Sequence, residues 1–218
     1  MADKFETKRF VLTVEGETEQ WYFTWLRDQI NTVPNRAYNA SIEAKVEQSP
    51  KKFYKGLNAK TTPNVYHICD IESNEQVHVE KLDRILSEMK EAKTQKKISY
   101  TLGYSNYTFE LWMVLHKMDC NGSFLHRRQY LTPIRQAFGE KFEDLAHYKE
   151  EAAFKRCLGK LNLEEVKTAI RRADRITGYN EEQYALRRYK GYSYYTENPA
   201  LSVHTVVKTI LKECGLYT

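Results

Sequence analysis

Short β-branched segments alternate with amphipathic segments through the first hundred residues, and few folds accommodate that order. Segments rich in β-branched and apolar residues predict strands at 9–14, 41–47, 64–69 and 98–102. Apolar spacings of three and four predict long helices after the first and third strands, and a short helix is predicted at 50–60. Strands that alternate with helices favour a parallel sheet covered by helices. We therefore expect an α/β fold with a mainly parallel sheet.

The pattern changes after residue 105 and becomes helical. Gly178 and Gly191 are expected to break the structure within a Tyr-rich stretch at 177–196. Helices are predicted at 109–115, 127–138, 150–159, 162–176 and 200–214. The sequence thus predicts an α/β core at 1–118 and a helical C-terminal part at 119–218 that packs on it.

Carboxylates follow directly after the first and third predicted strands, and a further one lies in an apolar segment. Glu15 follows the first strand, Asp70 and Glu72 follow the third, and Glu110 lies in the apolar stretch FELW. In open parallel sheets, ligands bind at this carboxyl edge. A carboxylate in an apolar setting needs a partner, a proton or a cation, and Mg²⁺ prefers carboxylate and phosphate oxygens. The pattern is typical of Mg²⁺- or Mn²⁺-dependent phosphodiester cleavage. The alternative is that these acids favour a helix N-terminus or are solvated in loops.

Two details of the first strand–helix turn are also predicted. Gly16 is expected to adopt a turn conformation that is closed to other residues. Thr18 is expected to cap the helix that follows.

Positive charge is concentrated in one segment. The chain has 34 Lys+Arg and 29 Asp+Glu, a net charge of +5 that is too small to identify a nucleic-acid-binding protein. Residues 154–190 carry the whole excess, and six of the sixteen tyrosines lie between Tyr179 and Tyr195. Arginine and lysine neutralise phosphates and aromatic rings stack on unpaired bases, so this region favours contact with nucleic acid. The alternatives are a solvated helix face and a protein–protein surface. The predicted nucleic-acid-binding residues are Arg171, Arg172, Arg175, Arg187, Arg188 and Lys190.

Several functional classes lack their characteristic motifs here. There is no GxxxxGK[ST] and no GxGxxG, so we expect no ATP binding by this chain itself, and there is no GxSxG. The four cysteines form no CxxC pair, which argues against a zinc ribbon. No apolar run approaches the roughly 18 residues of a membrane span, and the N-terminus lacks a signal-peptide core. We expect a cytoplasmic protein without membrane contact.

Three motifs resemble those of RloB-like proteins. Residues 12–19 (LTVEGETE) precede a helix that carries aromatic residues, and residues 198–204 (NPALSVH) close the pattern. Between them, residues 105–116 (SNYTFELWMVLH) are similar to the most recognisable block of that family. The three occur in the family's order across nearly the whole chain.

The resemblance implies a Toprim-type catalytic core related to OLD-family nucleases. Glu15 then matches the Toprim glutamate, Asp70 and Glu72 match its acidic pair, and Ser105 with Glu110 match the S…E element of OLD-like sites. The implied set is catalytic Glu15, Asp70, Glu72, Glu110 and Lys149, with these four acids as metal ligands and with Glu19, Ser105 and His116 in support. The chain departs from the family by having Asp-x-Glu instead of Asp-x-Asp and Tyr-Thr instead of Pro-Cys after Ser-Asn. Because glutamate reaches further than aspartate, the geometry of the metal site is open.

The resemblance also implies a bacterial anti-phage defence locus, often beside an ABC-type or OLD-like ATPase. The main hypothesis is a Mg²⁺- or Mn²⁺-dependent nuclease that acts as an abortive-infection effector on RNA, including tRNA, or on DNA. A partner ATPase would control it, and homo-oligomers are possible. The alternative is a catalytically degenerate, Toprim-like adaptor subunit that binds the ATPase, which the Asp-x-Glu pair favours.

Overall fold

A four-stranded, all-parallel sheet forms the centre of the molecule, in the strand order β2-β1-β3-β4. A computed structural model describes residues 5–57, 64–122 and 124–218. Helices flank the sheet, as the alternating pattern predicts for an α/β fold. The first-half elements are β1 (Thr7–Val14), α1 (Glu17–Thr32), β2 (Asn39–Val46), α2 (Pro50–Lys55), β3 (Asn64–Ile71), α3 (Gln76–Lys96), β4 (Ser99–Asn106) and α4 (Glu110–Leu115).

The register of the sheet brings the ends of β1 and β3 together. Val14, the last residue of β1, pairs with Ile68, and Asp70 pairs with Ser105 of β4. β3 runs to Ile71 and is two residues longer than the predicted strand, so Asp70 belongs to the strand itself. Glu15 and Asp70 therefore lie side by side at the carboxyl edge of the sheet.

The C-terminal half is mainly helical, as predicted. A 3₁₀ turn at Arg127–Tyr130 leads into α5, and a small antiparallel hairpin precedes the last helix. The elements are α5 (Leu131–Phe138), α6 (Leu145–Lys149), α7 (Glu151–Leu158), α8 (Leu163–Gln183), β5 (Arg187–Tyr189), β6 (Tyr192–Tyr194) and α9 (Val203–Glu213).

One hydrophobic core joins both halves of the chain. It contains Leu12 of β1, Trp112 of α4, Phe154 of α7 and Val207 of α9, all fully buried. A second, smaller core lies between α3, β3 and β4 and includes Tyr194 of the hairpin. Burial of these side chains is the main favourable contribution to folding.

Some predicted boundaries are wrong. Gly178 does not break the structure, because α8 continues through it to Gln183. Asn162 caps α8 in a reciprocal capping box with Glu165, which fixes only the start of that helix. Gly191 does adopt a positive φ of 95° at the hairpin turn. The end of the short helix predicted at 50–60 lies partly outside the described residues, and α2 ends at Lys55.

Cys69, Cys120, Cys157 and Cys214 are free thiols, and all four are buried. Across the three described ranges, no helix is both long and apolar enough to cross a membrane.

Candidate active site

An acidic cleft of about 240 Å³ opens at the carboxyl edge of β1 and β3. It lies where the parallel topology places ligand sites in α/β folds. Its walls come from the β1–α1 turn, the end of β3, the 3₁₀ turn and α6. The lining residues are Glu15, Gly16, Glu17, Thr18, Glu19, Asp70, Glu72, Arg127 and Lys149. Three of the four predicted metal ligands thus share one cleft.

Glu15 links the two strands that carry the acids. Its Oε2 accepts a hydrogen bond from the backbone N–H of Asp70 at 2.9 Å. The ammonium of Lys81, from the second turn of α3, lies 2.5 Å from Glu15 Oε1 and 2.8 Å from Glu72 Oε1. The other oxygen of Glu72 faces His78 at 3.5 Å and Arg127 at 3.7 Å. Lys81 is thus a counter-ion shared by two of the predicted ligands.

Glu19 lies in the first turn of α1 and is buried, with Thr18 Oγ1 donating to its Oε2 at 3.1 Å. The predictions for this turn are wrong in detail. Gly16 is the N-cap residue with an extended φ of −147°, and no side chain caps the helix. A Cβ on Gly16 would lie 3.1 Å from Glu19 Oε2. Glycine therefore provides space for a buried carboxylate here and not an unusual backbone conformation.

Glu110 lies behind the cleft and not in its wall. It begins α4 and is completely buried. The Thr108 hydroxyl donates to Glu110 Oε2, and the ammonium of Lys149 lies 3.2 Å from Glu110 Oε1. Lys149 therefore joins the buried Glu110 to the open cleft, of which it is a lining residue.

The carboxylates of the cleft repel one another. Burial raises the pKa of Asp70 well above its usual value, and the charges of Glu15, Glu19 and Glu110 raise it further. Burial and then Glu110 likewise raise the pKa of Glu19. Such groups accept a proton unless a cation compensates them.

Lys81 and Lys149 already compensate part of this negative charge, as the pKa shifts of Glu72 and Lys149 indicate. Burial alone would raise the pKa of Glu72, but the hydrogen bond and charge of Lys81 lower it overall, with help from His78 and Arg127. Burial would lower the pKa of Lys149, but Glu110, Asp70 and Glu19 raise it overall. Both lysines are therefore held in the charged state.

Ser105 and His116, the two remaining supporting residues, are both buried. Ser105 pairs with Asp70 in the sheet, and its Oγ has no hydrogen-bond partner among the described residues. His116 is packed in the core, where Nδ1 faces the Trp112 carbonyl at 2.9 Å and Nε2 faces the Tyr22 hydroxyl at 3.1 Å. Burial lowers the pKa of His116 to about 4. It is neutral near pH 7 and does not line the cleft.

The structure does not bring the predicted nucleic-acid-binding residues to the acidic cleft. Arg172 donates to the Leu115 carbonyl at 2.8 Å, and Arg175 binds Asp119 at 2.6 Å. Arg171 hydrogen-bonds Thr168 within α8. Arg187 and Arg188 are exposed on β5, and Lys190 lies over the ring of Tyr189 in the hairpin turn.

Sequence reasoning identified Lys149 but missed the other cations that the structure brings to the cleft. Lys81 and Arg127 contact Glu72, and Arg128 lies next to Arg127 in the 3₁₀ turn. The Arg127–Arg128 doublet was visible, but it lies in the part of the chain whose charges sum to zero. Lys81 had no signal except its position in the second turn of the helix that follows the acidic pair.

The chemistry of the donor set fits a hard divalent cation. Five carboxylates line the cleft and a sixth, Glu110, lies behind it, against the cations Lys81, Lys149 and Arg127. Negative charge is in excess, and oxygen donors suit Mg²⁺ or Mn²⁺. Within the described part of the chain, however, no three His, Cys, Asp or Glu side chains converge tightly enough to hold a metal ion. The two ammonium groups lie between the acids instead.

The fold and the cleft define a class: α/β proteins in which carboxylates cluster at the carboxyl edge of a parallel sheet. The family model described as "RloB-like protein" matches residues 10–210. The chain therefore belongs to the RloB-like family, as its three motifs predicted. No curated protein and no solved structure gave a match.

Proposed function

We propose that this chain is a metal-dependent nuclease that hydrolyses phosphodiester bonds in RNA or DNA. The observation that carries the proposal is the convergence of Glu15, Asp70 and Glu72 on one cleft at the carboxyl edge of the sheet. Membership of the RloB-like family supports it. The resemblance of the motifs to Toprim-type and OLD-like sites supports it as well.

Glu15, Asp70 and Glu72 would hold the Mg²⁺ or Mn²⁺, with Glu19 adjacent. A bound divalent cation would polarise the phosphate and lower the pKa of water. The hydrogen bond from the Asp70 backbone to Glu15 fixes these two acids relative to each other. The excess of negative charge keeps the site selective for cations.

Lys149 supplies positive charge to the same cleft. Its side chain is 38% exposed, whereas the side chain of its partner Glu110 is 1% exposed. We assign Glu110 the role of holding Lys149 in place and keeping it protonated. Lys149 would then stabilise the negative charge that develops on the phosphate during attack.

In the cell, we propose a role as an anti-phage effector that causes abortive infection. A nuclease that is always active would be toxic, so control by an ABC- or OLD-type ATPase partner is part of the proposal. The support is the family resemblance alone.

The test uses substitutions that keep shape and remove charge. Glu15→Gln still accepts the hydrogen bond from the Asp70 backbone, and Asp70→Asn is isosteric. Each is expected to reduce Mg²⁺- or Mn²⁺-dependent cleavage of labelled tRNA and DNA by roughly a hundredfold or more, because metal catalysis contributes several kcal/mol and about 1.4 kcal/mol is tenfold. Cellular toxicity of the expressed protein is measured in parallel.

Glu91→Gln is the control. Glu91 lies on α3 away from the cleft and pairs with Lys51 of α2. It is expected to cleave as the wild type does, and all variants are expected to melt within a few degrees of it. Unchanged cleavage by Glu15→Gln and Asp70→Asn would contradict the proposal.

One observation favours the second candidate, an adaptor subunit that binds an ATPase without cleaving. Lys81 and Lys149 already pair with three of the acids, and the described residues contain no converged metal-binding group. For this candidate, the wild type would cleave neither RNA nor DNA with either cation. It would still co-purify with the ATPase from its own locus, and Glu15→Gln would not change that association.

A further inference from the structure

A second groove begins at the edge of the acidic cleft. Its volume is about 450 Å³, and it shares Arg127 and Lys149 with the cleft. The residues that line it are Arg127, Arg128, Leu131, Asp144, Leu145, Ala146 and Lys149. We call it the basic groove, because its cations outnumber its acid by three to one.

Two of the three cations of the basic groove, Arg127 and Arg128, are available for a ligand, whereas Lys149 pairs with Glu110. The guanidinium of Arg128 makes no hydrogen bond or ion pair within the described ranges of the chain. Arg127 makes one loose contact, at 3.7 Å from Glu72, and its side chain is 58% exposed. The single acid, Asp144, uses its Oδ1 to cap α6 by accepting from the His147 backbone at 2.8 Å. A ligand for this groove therefore carries negative charge.

Arg127 and Arg128 lie on a 3₁₀ turn that is anchored at both ends. His126 and Gln129 form a reciprocal capping box around the 3₁₀ turn that carries them. Tyr130 at the end of the turn is completely buried and donates to Asn198 at 3.1 Å. A binding group on a rigid element loses less conformational entropy when its ligand arrives.

We infer that the basic groove binds a backbone phosphate of the nucleic acid next to the phosphate at the acidic cleft. This inference rests on the proposed nuclease function and identifies where that substrate lies. Arginine presents a planar fork of donors that matches two phosphate oxygens. Arg127 lines both cavities, so a strand crossing it places adjacent phosphates on either side. The acidic cleft repels a phosphate that lacks a cation, and the groove next to it supplies the attraction.

The experiment measures binding separately from cleavage. Fluorescence anisotropy with a labelled single-stranded RNA oligonucleotide, and with DNA of the same sequence, is recorded in EDTA between about 50 and 200 mM salt. Arg127→Gln/Arg128→Gln is expected to weaken binding about tenfold at the lowest salt. The salt slope is expected to fall in magnitude by about 0.7, since the groove holds one phosphate and each phosphate contact on a single strand contributes roughly 0.7.

The matched control is Lys93→Gln/Lys96→Gln. It removes the same charge from the exposed last turn of α3, near the start of β4 and therefore at the opposite edge of the sheet. It is expected to bind within about twofold of the wild type after correction for the general effect of charge. Thermal melts check that each double variant is folded.

Each outcome decides a separate question. Equal binding by the two double variants would overturn the inference. A loss in Arg187→Gln/Arg188→Gln, with none in Arg127→Gln/Arg128→Gln, would also overturn it and favour the segment at 171–190. Weakened binding by Arg127→Gln/Arg128→Gln together with no cleavage by the wild type would support the groove and reject the nuclease. Cleavage by the wild type with unaffected binding would reject the groove alone.

Discussion

Single lysines determine the charge state of the acidic cleft. Lys81 lies between Glu15 and Glu72, and Lys149 pairs with Glu110. Each ammonium occupies a place between carboxylates that a divalent cation would otherwise stabilise. The net charge of the cleft therefore depends on these pairs, and replacing one lysine changes it by a full unit.

Lys81→Met tests this balance. The variant leaves Glu15 and Glu72 without their shared counter-ion, so its free energy of unfolding in EDTA is expected to fall by about 2 kcal/mol. Added Mg²⁺ is expected to raise its melting temperature more than that of the wild type, because the cation replaces the lost charge. Differential scanning fluorimetry across a Mg²⁺ titration measures both effects.

Lys51→Met is the control, since Lys51 also pairs with a glutamate, Glu91 at 3.3 Å, but is distant from the cleft. Equal Mg²⁺ responses of the two variants would show that Lys81 does not compete with a cation.

Helix α9 packs closely on strand β4, and a glycine makes this contact possible. A Cβ on Gly103 would lie 2.7 Å from Ile68 Cδ1 and 3.0 Å from Val206 Cγ2. Ser202 reinforces the contact, since it accepts from the Tyr104 backbone at 3.0 Å and donates to the Leu102 carbonyl at 3.1 Å. The last helix is therefore fixed to the edge strand of the sheet, and this contact joins the two predicted parts of the chain.

Two glycine substitutions are expected to act in opposite directions. Gly103→Ala forces a methyl group into packed side chains and is expected to destabilise the protein by about 1–3 kcal/mol. Gly178→Ala meets nothing within 4 Å in the middle of α8 and is expected to stabilise the protein by about 0.5–1 kcal/mol. Urea unfolding of the two variants beside the wild type gives both values. A stabilised Gly103→Ala would contradict the close β4–α9 packing.

Three buried histidines make the stability of the folded protein depend on pH. His67 lies in β3, His116 follows α4 and His204 lies in α9. Burial lowers the pKa of each from 6.5 to about 4. Between these values the unfolded chain binds protons that the folded protein excludes. Their contribution to stability is therefore complete above about pH 6.5 and is lost as the pH falls towards 4.

His116→Gln is expected to reduce this pH dependence. Each buried histidine contributes about 1 kcal/mol per pH unit to the slope of the unfolding free energy between pH 6 and 5. The variant is less stable at pH 7 but is expected to have a slope smaller by about that amount. Urea unfolding at several pH values measures the slope. The exposed His126, replaced by Asn, is the control, and equal slopes in both variants would contradict the assignment.

The sequence by itself determined the α/β class, the parallel sheet and the acids at its edge. Strand and helix periods are local properties, and a parallel sheet brings all carboxyl ends to one edge, so Glu15 and Asp70 had to be close. The family followed from three motifs. The end of α8 and the role of Gly16 did not follow, because a glycine can continue a helix or provide space as well as turn the chain.

The tertiary structure decided which charges meet the acids. Lys81, Arg127 and Lys149 come from three elements that are far apart in the sequence, and only packing brings them to Glu15, Glu72 and Glu110. It also placed Glu110 behind the cleft and left the predicted nucleic-acid-binding residues at 171–190 away from it. Long side chains pair with whatever the fold puts within their reach, and that depends on distances that composition does not contain.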